Sequence, residues 1–329
     1  MRKIFGQAVD ELESGRPVKG LKIRAWDEDM VGGDDLLGEV TTGQDGRYKI
    51  EYANAYWDKN IPGLSSWRPD IYITADIRNK AGMWVRLGKS RVFKDHPLEL
   101  DLRIDLRVRV EPFQSRMTAF NPQKHGFHFF NRFKFRTELL GLDFEEKGMG
   151  FCGGMCGAAL YRFKNGLPVP EGVDVPSQGS DLYQELLKRQ IRSMDPRVIA
   201  RMFEFQSASD RAGFFPKNSI GELTRTEWPK LQAELDKGSP AILVLIRARK
   251  LFDNPTRNHQ TLAVGYEYDP TRKDLVVHEY DPNKPGEMQT LEMNLGLPDG
   301  KLYMKDSAYR GTRGFFLNPA GGKASRKMS

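Results

Sequence analysis

The sequence predicts an α+β fold in which an antiparallel β-sandwich is followed by a domain of helices and antiparallel strands. Two observations favour this fold class. Within residues 4–110, short segments of alternating apolar and polar side chains are separated by turn sequences such as SGRPVKG and GQDGRY. After residue 150, helical patterns come first and strand patterns follow, which is typical of α+β domains.

The chain has 329 residues, a length that favours two domains. We place the β-sandwich at residues 1–110, a linker at 111–130, the second domain at 131–318 and a disordered tail at 319–329. The linker has no regular period, but its phenylalanines favour packing over free movement. The tail is small, polar and basic, as disordered termini commonly are.

Strand patterns in the first domain are apolar on alternate residues or rich in β-branched and aromatic side chains. They cover residues 21–26, 46–52, 69–77, 82–88 and 98–110. Turn sequences separate them at the spacing of an antiparallel sandwich.

Four helices are predicted in the second domain, at about residues 150–164, 180–194, 195–208 and 226–237. Ser180 is placed to cap the second helix, and Pro196 occupies the first turn of the third. Strand patterns follow at residues 240–248, 259–269, 274–281, 287–295 and 312–317.

Composition and charge exclude several classes of protein. The 51 basic and 44 acidic residues are interleaved along most of the chain, so no basic stripe indicates a nucleic-acid partner. No apolar run is long enough to span a membrane, and the first residues do not resemble a signal peptide. We therefore expect a protein without a membrane span that is cytoplasmic, or exported without a cleavable signal peptide.

The sequence has two cysteines, Cys152 and Cys156, at helical spacing. Residues four apart lie on one helix face with Cβ atoms roughly 5–6 Å apart, whereas an unstrained disulfide needs about 3.8 Å. Two thiols without a further His or Cys cluster also make a poor metal site. The pair is therefore interpreted as reduced thiols, and no cofactor is expected.

Three residues, in chain order, have the chemistry of a thiol hydrolase. Cys152 lies in the glycine-rich turn MGFCGGMCGAAL, where the start of a helix stabilises a thiolate. His259 opens an apolar strand, and Asp281 ends the next strand of a predicted hairpin, on the same side of the sheet. A thiolate attacks, an imidazole carries the proton, and a carboxylate orients the imidazole. Each residue also has a plain structural interpretation: a buried core cysteine, an edge histidine, and an aspartate in a strand-ending turn.

The segment around His259 resembles the histidine strand of papain-like cysteine peptidases, N-H-x-x-x-x-V-G-Y, through Asn258, His259, Val264, Gly265 and Tyr266. The segment GFCGGMC resembles, more loosely, the G-x-C-G-S-C turn and central helix of the same fold. The order cysteine, histidine, acid also agrees. The resemblance covers residues 130–318 and implies a papain-like fold with Cys152, His259 and Asp281 as the catalytic residues.

The resemblance leaves two assignments open. If the two cysteines align with the paired cysteines of papain, Cys156 matches the nucleophile, but we prefer Cys152 because it stands at the turn. The family places an oxyanion glutamine shortly before the nucleophile, where this chain has Glu146. We assign the oxyanion role to Asn131 instead.

The first domain resembles the transthyretin-like sandwich family, in its glycine- and proline-containing opening and in a later hairpin. The matching residues are Gly15, Pro17, Gly20, Asp35, Leu36, Leu37, Gly38, Thr42, Asp45, Gly46 and Tyr48. Such sandwiches usually serve as binding or spacer modules, so the resemblance implies a docking role with a protein partner.

Four aspartates cluster near one strand end of the first domain: Asp27, Asp29, Asp34 and Asp35. The segment AWDEDMVGGDDLLGEV resembles a calcium loop of C2 domains. Carboxylates in such a loop can bind Ca²⁺, and Asp27, Asp29 and Asp35 are the candidate ligands. The alternative is a hydrophilic turn whose aspartates hydrogen-bond their own backbone.

These observations favour a cysteine hydrolase, a peptidase or an amidase that acts on a peptide or protein substrate through a thioester. The first alternative is a catalytically inactive papain-like binding or adaptor protein, which the missing glutamine favours. A further alternative is a secreted bacterial effector with deamidase or acyltransferase activity, since the same triad serves these reactions.

Overall fold

The computed structural model describes residues 2–29, 33–52, 68–97, 100–133, 137–139, 142–144, 150–210, 219–249, 253–296, 302 and 304–327. This part of the chain contains both helices and antiparallel sheets, so the protein belongs to the α+β class that the sequence predicts. The chain divides into two units, the first formed by residues 1–113 with 269–273 and the second by residues 114–268 with 274–329.

The described residues of the first unit form eight strands in two sheets around one hydrophobic core. The strands are β1 (Arg2–Asp10), β2 (Lys22–Asp27), β3 (Asp35–Thr41), β4 (Arg47–Tyr52), β5 (Ile71–Arg78), β6 (Trp84–Lys89), β7 (Leu102–Arg103) and β8 (Leu106–Val108). One sheet has the order β3-β2-β5-β6. In the other, β1 is central and pairs with β4, β7 and β8.

The sheet around β1 differs from the purely antiparallel sandwich that the sequence predicts. β1 is antiparallel to β4, but β7 and β8 lie parallel to β1, with Ile4 opposite Leu102 and Ala8 opposite Leu106. Parallel neighbours need a crossover rather than a hairpin, and here the chain passes through the other sheet before it returns to β1. The alternating pattern predicts a strand at this position but does not predict its direction.

The second unit combines a seven-stranded sheet with four longer helices in its described residues. Its helices are α1 (Pro122–His125), α2 (Cys152–Lys164), α3 (Asp181–Ser193), α4 (Pro196–Ser207), α5 (Ile220–Asp236) and α6 (Gly321–Ala324). Its strands are β9 (Gln114–Met117), β10 (Thr137–Leu139), β11 (Leu142–Phe144), β12 (Ala241–Ile246), β13 (His259–Asp269), β14 (Asp274–Tyr280), β15 (Met288–Asn294), β16 (Met304–Asp306) and β17 (Gly314–Leu317). The main sheet has the order β16-β15-β14-β13-β12-β17, and β9 pairs with β13.

The segment at residues 111–130, predicted as a linker, mostly belongs to the second unit. β9 pairs antiparallel with residues Gly265–Tyr268 of β13, and Phe120, Phe127 and Phe129 are buried. Large aromatic side chains are stabilised by removal from water, which explains why this segment is part of the core. The packing that the phenylalanines predict is therefore present, and residues 114–130 group with the second unit rather than form a separate segment.

The tail predicted to be disordered is folded as far as residue 327, where the described chain ends. Residues Gly321–Ala324 form α6, and Ala320 and Ala324 are buried. The buried guanidinium of Arg189 donates to the backbone oxygens of Ala324, at 2.6 Å, and Arg326, at 2.9 Å. A long-range contact to a buried cation thus orders a segment that its composition marks as disordered.

Helix α2 is buried over its first nine residues, Cys152 to Leu160. Glycines on this helix allow close packing. At Gly154 an added Cβ would lie 2.2 Å from the backbone oxygen of Leu186 in α3, and at Gly157 it would lie 2.8 Å from the backbone oxygen of Ala324. The glycine-rich sequence that suggests a tight turn therefore also serves helix packing.

Replacing Gly154 with alanine is expected to destabilise the protein by about 1–3 kcal/mol, because the new methyl group meets backbone rather than a movable side chain. Chemical denaturation measures this change as a lower unfolding midpoint. Gly322→Ala is the matched control, since nothing lies within 4 Å of a Cβ built at Gly322. Equal stability of the two variants would contradict the close packing of α2 on α3.

Candidate active site

Cys152 is the first residue of α2 and is 9 % exposed. The backbone N–H of Gln260, at the start of β13, donates to its Sγ over 3.4 Å. The first N–H groups of a helix also lack partners within the helix, and they carry a partial positive charge. Both features stabilise a thiolate at this position.

Aromatic packing holds the residue before Cys152. Phe151 stacks on Phe133 with ring centroids 4.2 Å apart, and it meets Tyr183 edge-on at 5.2 Å. All three rings are buried. The thiol is therefore presented by an anchored backbone rather than by a free loop.

His259 and Asp281 meet on neighbouring strands. His259 opens β13, and Asp281 directly follows β14. Nε2 of His259 lies 2.6 Å from Oδ1 of Asp281, and both residues are almost fully buried. The thiol of Cys152 lies close enough to the same imidazole that each group shifts the pKa of the other. Since Nε2 is engaged with Asp281, Nδ1 is the ring nitrogen that remains for the thiol.

The structure thus brings the three predicted residues together, and their charges support one another. Burial raises the pKa of Cys152, but His259 and the backbone N–H groups of Gln260 and Gly153 together outweigh burial, so the pKa of this thiol is lowered. Burial lowers the pKa of His259, but Asp281 and Cys152 raise it, to about 10. His259 also lowers the pKa of Asp281 against the effect of burial. All three shifts act in the direction of a thiolate paired with an imidazolium beside a carboxylate.

Cys156, the alternative nucleophile, lies in the core one turn further along α2. Its Sγ is 3.6 Å from the backbone oxygen of Gln260, and its side chain packs with apolar neighbours such as Phe129 and Leu262. Burial and the negative charges of nearby groups raise its pKa, so the thiol stays protonated. Its burial and raised pKa disfavour Cys156 as the nucleophile, because a buried neutral thiol reacts poorly.

Asn131 lies between the turn that precedes Cys152 and the turn that follows Asp281. Its backbone N–H donates to the oxygen of Pro282 at 3.2 Å, and its Nδ2 donates to Oδ1 of Asn283 at 3.1 Å. A Cβ built on Gly150 would lie 2.0 Å from Nδ2 of Asn131, so the amide packs directly on the backbone two residues before the nucleophile. Glu146, at the position of the family's glutamine, lies outside the described residues.

Sequence reasoning missed two residues of the site. The side chain of Asn283 places Nδ2 3.3 Å from Nε2 of His259, while its backbone N–H donates to Oδ1 of Asp281 at 2.7 Å. Gln260 supplies the N–H to Cys152, and its side-chain oxygen accepts from Nδ2 of Asn318 at 2.8 Å. A glutamine inside an apolar strand requires buried polar partners, which is the one signal that could have identified it.

The cluster of aspartates in the first unit does not form the predicted calcium site. The candidate ligands were Asp27, Asp29 and Asp35. Oδ1 of Asp27 accepts from the backbone N–H of Asp70 at 2.8 Å, and the hydroxyl of Tyr72 donates to Asp34. Across the part of the chain that the structure describes, no three His, Cys, Asp or Glu side chains are grouped so that they could hold a metal ion. These carboxylates instead accept from donors on a distant part of the chain, which differs from the local backbone bonds of the hydrophilic-turn alternative.

Among the described helices, we find none with the length and apolar character that a membrane crossing requires. This finding agrees with the absence of long apolar runs in the sequence.

Comparisons with known proteins do not assign the chain to a family. No family model matches the sequence, and no curated protein matches it. A solved structure described as a 9R-lipoxygenase from Cyanothece is similar with a TM-score of 0.26 and 12 % identity, over 99 % of this chain and 44 % of that chain. The chain thus spans less than half the length of that protein, and a similarity this weak carries no argument about fold or function.

Proposed function

We propose that the second unit is a cysteine hydrolase, a peptidase or an amidase, with a papain-like fold. The observation that carries the proposal is the convergence of three residues from separate elements. His259 is hydrogen-bonded to Asp281, and the backbone N–H of the next residue, Gln260, donates to Sγ of Cys152. A nucleophile, a base and a group that orients the base are the parts that nucleophilic catalysis requires. Strongly shifted pKa values in such a cluster are typical of catalytic sites.

The first half-reaction follows from this geometry. The thiolate of Cys152 attacks the carbonyl carbon of an amide, which forms a C–S bond and an oxyanion. The backbone N–H of Cys152 and Nδ2 of Asn131 are the donors that we assign to the oxyanion. His259 then passes its proton to the leaving amine as the C–N bond breaks, and a thioester remains on Cys152.

The second half-reaction releases the acid. His259, now neutral, removes a proton from a water molecule that attacks the thioester carbonyl, and the C–S bond breaks to restore the thiolate. Asp281 keeps the ring oriented and stabilises its positive charge in both steps. Deamidation and acyl transfer share the first half-reaction, so the same residues would serve those activities with a different leaving group or acceptor.

The first unit is proposed as a docking module for a protein partner. Support comes from the sequence resemblance to transthyretin-like sandwiches and from its two sheets around a single core. Domains of this kind usually bind or space other domains rather than catalyse.

Reaction with 4-nitrophenyl acetate is expected to release a burst of 4-nitrophenolate equal to the protein concentration and to leave one acetyl group on Cys152. Absorbance measures the burst, and mass spectrometry of peptides locates the acetyl group. Cys152→Ala should lose the burst, whereas Cys156→Ala should keep it because this thiol is fully buried and its pKa is raised. If Cys152 reacts no faster than a free cysteine peptide, the inactive binding protein becomes the better description.

A further inference from the structure

A second buried carboxyl group lies next to the candidate triad. Glu279 is two residues before Asp281 along β14 and is fully buried. Side chains two apart on a strand point to the same face, so both carboxyl groups lie on the side of the sheet that faces His259. Glu279 is not part of the hydrolase chemistry proposed above.

Glu279 contacts β13 at Thr261, whereas Asp281 contacts β13 at its first residue, His259. The hydroxyl of Thr261 donates to Oε2 of Glu279 at 2.7 Å, and Thr261 stands two residues after His259. The contacts Thr261 with Glu279 and His259 with Asp281 are therefore successive pairs across the same two strands. The glutamate is held directly behind the carboxylate that orients the imidazole.

Two oxygens of these neighbouring side chains are unsatisfied. Among the described residues, Oε1 of Glu279 and Oδ2 of Asp281 are two of only four buried side-chain polar atoms without a hydrogen-bond partner. Two ionised carboxylates offer acceptors alone, so neither could satisfy the other. A single proton between the two oxygens would satisfy both, and buried polar groups are rarely left unpaired.

The surroundings decide which group holds the proton. Asp281 accepts from His259 and from the backbone N–H of Asn283, which stabilise its ionised form. Oε2 of Glu279 accepts from one neutral hydroxyl. Burial, and then the charge of Asp281, raise the pKa of Glu279 to about 8. The ionisable groups that act on Glu279 or are acted on by it are His259, Asp281, Asp306 and Cys156.

We propose that Glu279 is a protonated acid whose Oε1–H donates a hydrogen bond to Oδ2 of Asp281, and that this bond fixes the carboxylate for His259. Glu279 is then a positioning residue that acts through Asp281. Its importance for turnover rests on the proposed hydrolase function, but the bond itself does not. The proton remains on Glu279 at every step, so no donor or acceptor outside the protein is needed.

The proposal predicts that Glu279→Gln keeps the site more nearly native than Glu279→Leu does. In Glu279→Gln the amide is neutral, its oxygen can accept from Thr261, and its NH₂ group can donate to Asp281, so the site should be preserved. In Glu279→Leu the donor is absent, Asp281 loses its second anchor, and the pairing of Cys152 with His259 weakens. An ionised glutamate would instead give similar losses in both variants, because each of them removes a charge that the site uses.

Two measurements test the proposal without any substrate turnover. Infrared difference spectra between the native protein and Glu279→Gln should show, at about pH 7, the C=O band of one protonated carboxylic acid, which disappears above about pH 8. Glu292→Gln, an exposed glutamate in β15, is the matched control and should show carboxylate bands alone. The alkylation rate of Cys152 by iodoacetamide should stay close to the native rate in Glu279→Gln and fall about tenfold in Glu279→Leu.

A missing acid band at neutral pH would overturn the proposal, and so would equal alkylation rates in the glutamine and leucine variants. The infrared comparison needs only the isosteric glutamine variant, so the proposal stays testable if leucine prevents folding. Failure of the acetyl burst together with a persistent acid band would remove the hydrolase function and leave the Glu279–Asp281 bond in place.

Discussion

Replacing His259 with alanine is expected to slow the alkylation of Cys152 by iodoacetamide about 10- to 100-fold at about pH 6. In the native protein His259 lowers the pKa of the thiol against the effect of burial. Without the imidazolium, burial dominates and the pKa rises above the usual value for a cysteine. The fraction of thiolate then falls by about 10³, and the greater nucleophilicity of a more basic thiolate offsets part of that loss.

The dependence of the alkylation rate on pH tests whether the loss of the imidazolium raises the pKa of Cys152. The native rate should reach its plateau at a lower pH than the rate of His259→Ala, which should keep rising with pH and approach the native rate under alkaline conditions. His278→Ala is the matched control, since this histidine of β14 lies 3.2 Å from Glu267 instead. An unchanged profile in His259→Ala would show that the thiol is not paired with the imidazole, and the hydrolase proposal would lose its basis.

The three residues of the candidate triad were predictable because each stands at a feature that sequence patterns reveal. Cys152 marks the start of a helix, His259 the start of an apolar strand, and Asp281 the end of the next strand. A short hairpin between two strands places the start of one beside the end of the other. The positions of the strand ends were therefore enough to predict that His259 and Asp281 lie side by side, without knowledge of side-chain packing.

The partners of the triad were not predictable in the same way. Asn283 and Glu279 act through single atoms, and a shift of one residue in strand register would turn Glu279 to the opposite face. Sequence patterns predict strand ends only to within a few residues. The backbone N–H of Gln260 carries no side-chain signal, so its role appears only in three dimensions.

The fold was predictable where contacts are local and not where they are distant in sequence. Strand patterns predict most strands of the first unit, although not β1 and β3. The parallel pairing of β7 and β8 with β1 depends on the path of the chain through another sheet. The predicted tail is ordered by Arg189, whose guanidinium binds the backbone of Ala324, 135 positions away. Composition describes a segment by itself and contains no information on such a partner.

Replacing Asn131 with alanine is expected to slow the transfer of an acetyl group from 4-nitrophenyl acetate to Cys152 about 10²- to 10³-fold, the usual cost of removing one oxyanion donor. The amide of Asn131 is held against Gly150 and bonded to Asn283, so its Nδ2 is fixed close to the backbone that presents the thiol. Alkylation by iodoacetamide displaces iodide and creates no oxyanion. Its rate should therefore remain unchanged in Asn131→Ala.

The ratio of the two rates separates stabilisation of the oxyanion from formation of the thiolate. Asn283→Ala is the companion variant, because Asn283 contacts both Asn131 and His259 and its loss should slow acetyl transfer and alkylation together. If Asn131→Ala also slowed both reactions equally, Asn131 would act through Asn283 on the ion pair, and the oxyanion would depend on backbone N–H groups alone. A selective loss of acetyl transfer would instead mean that an asparagine before the helix supplies the donor that papain-like peptidases take from glutamine.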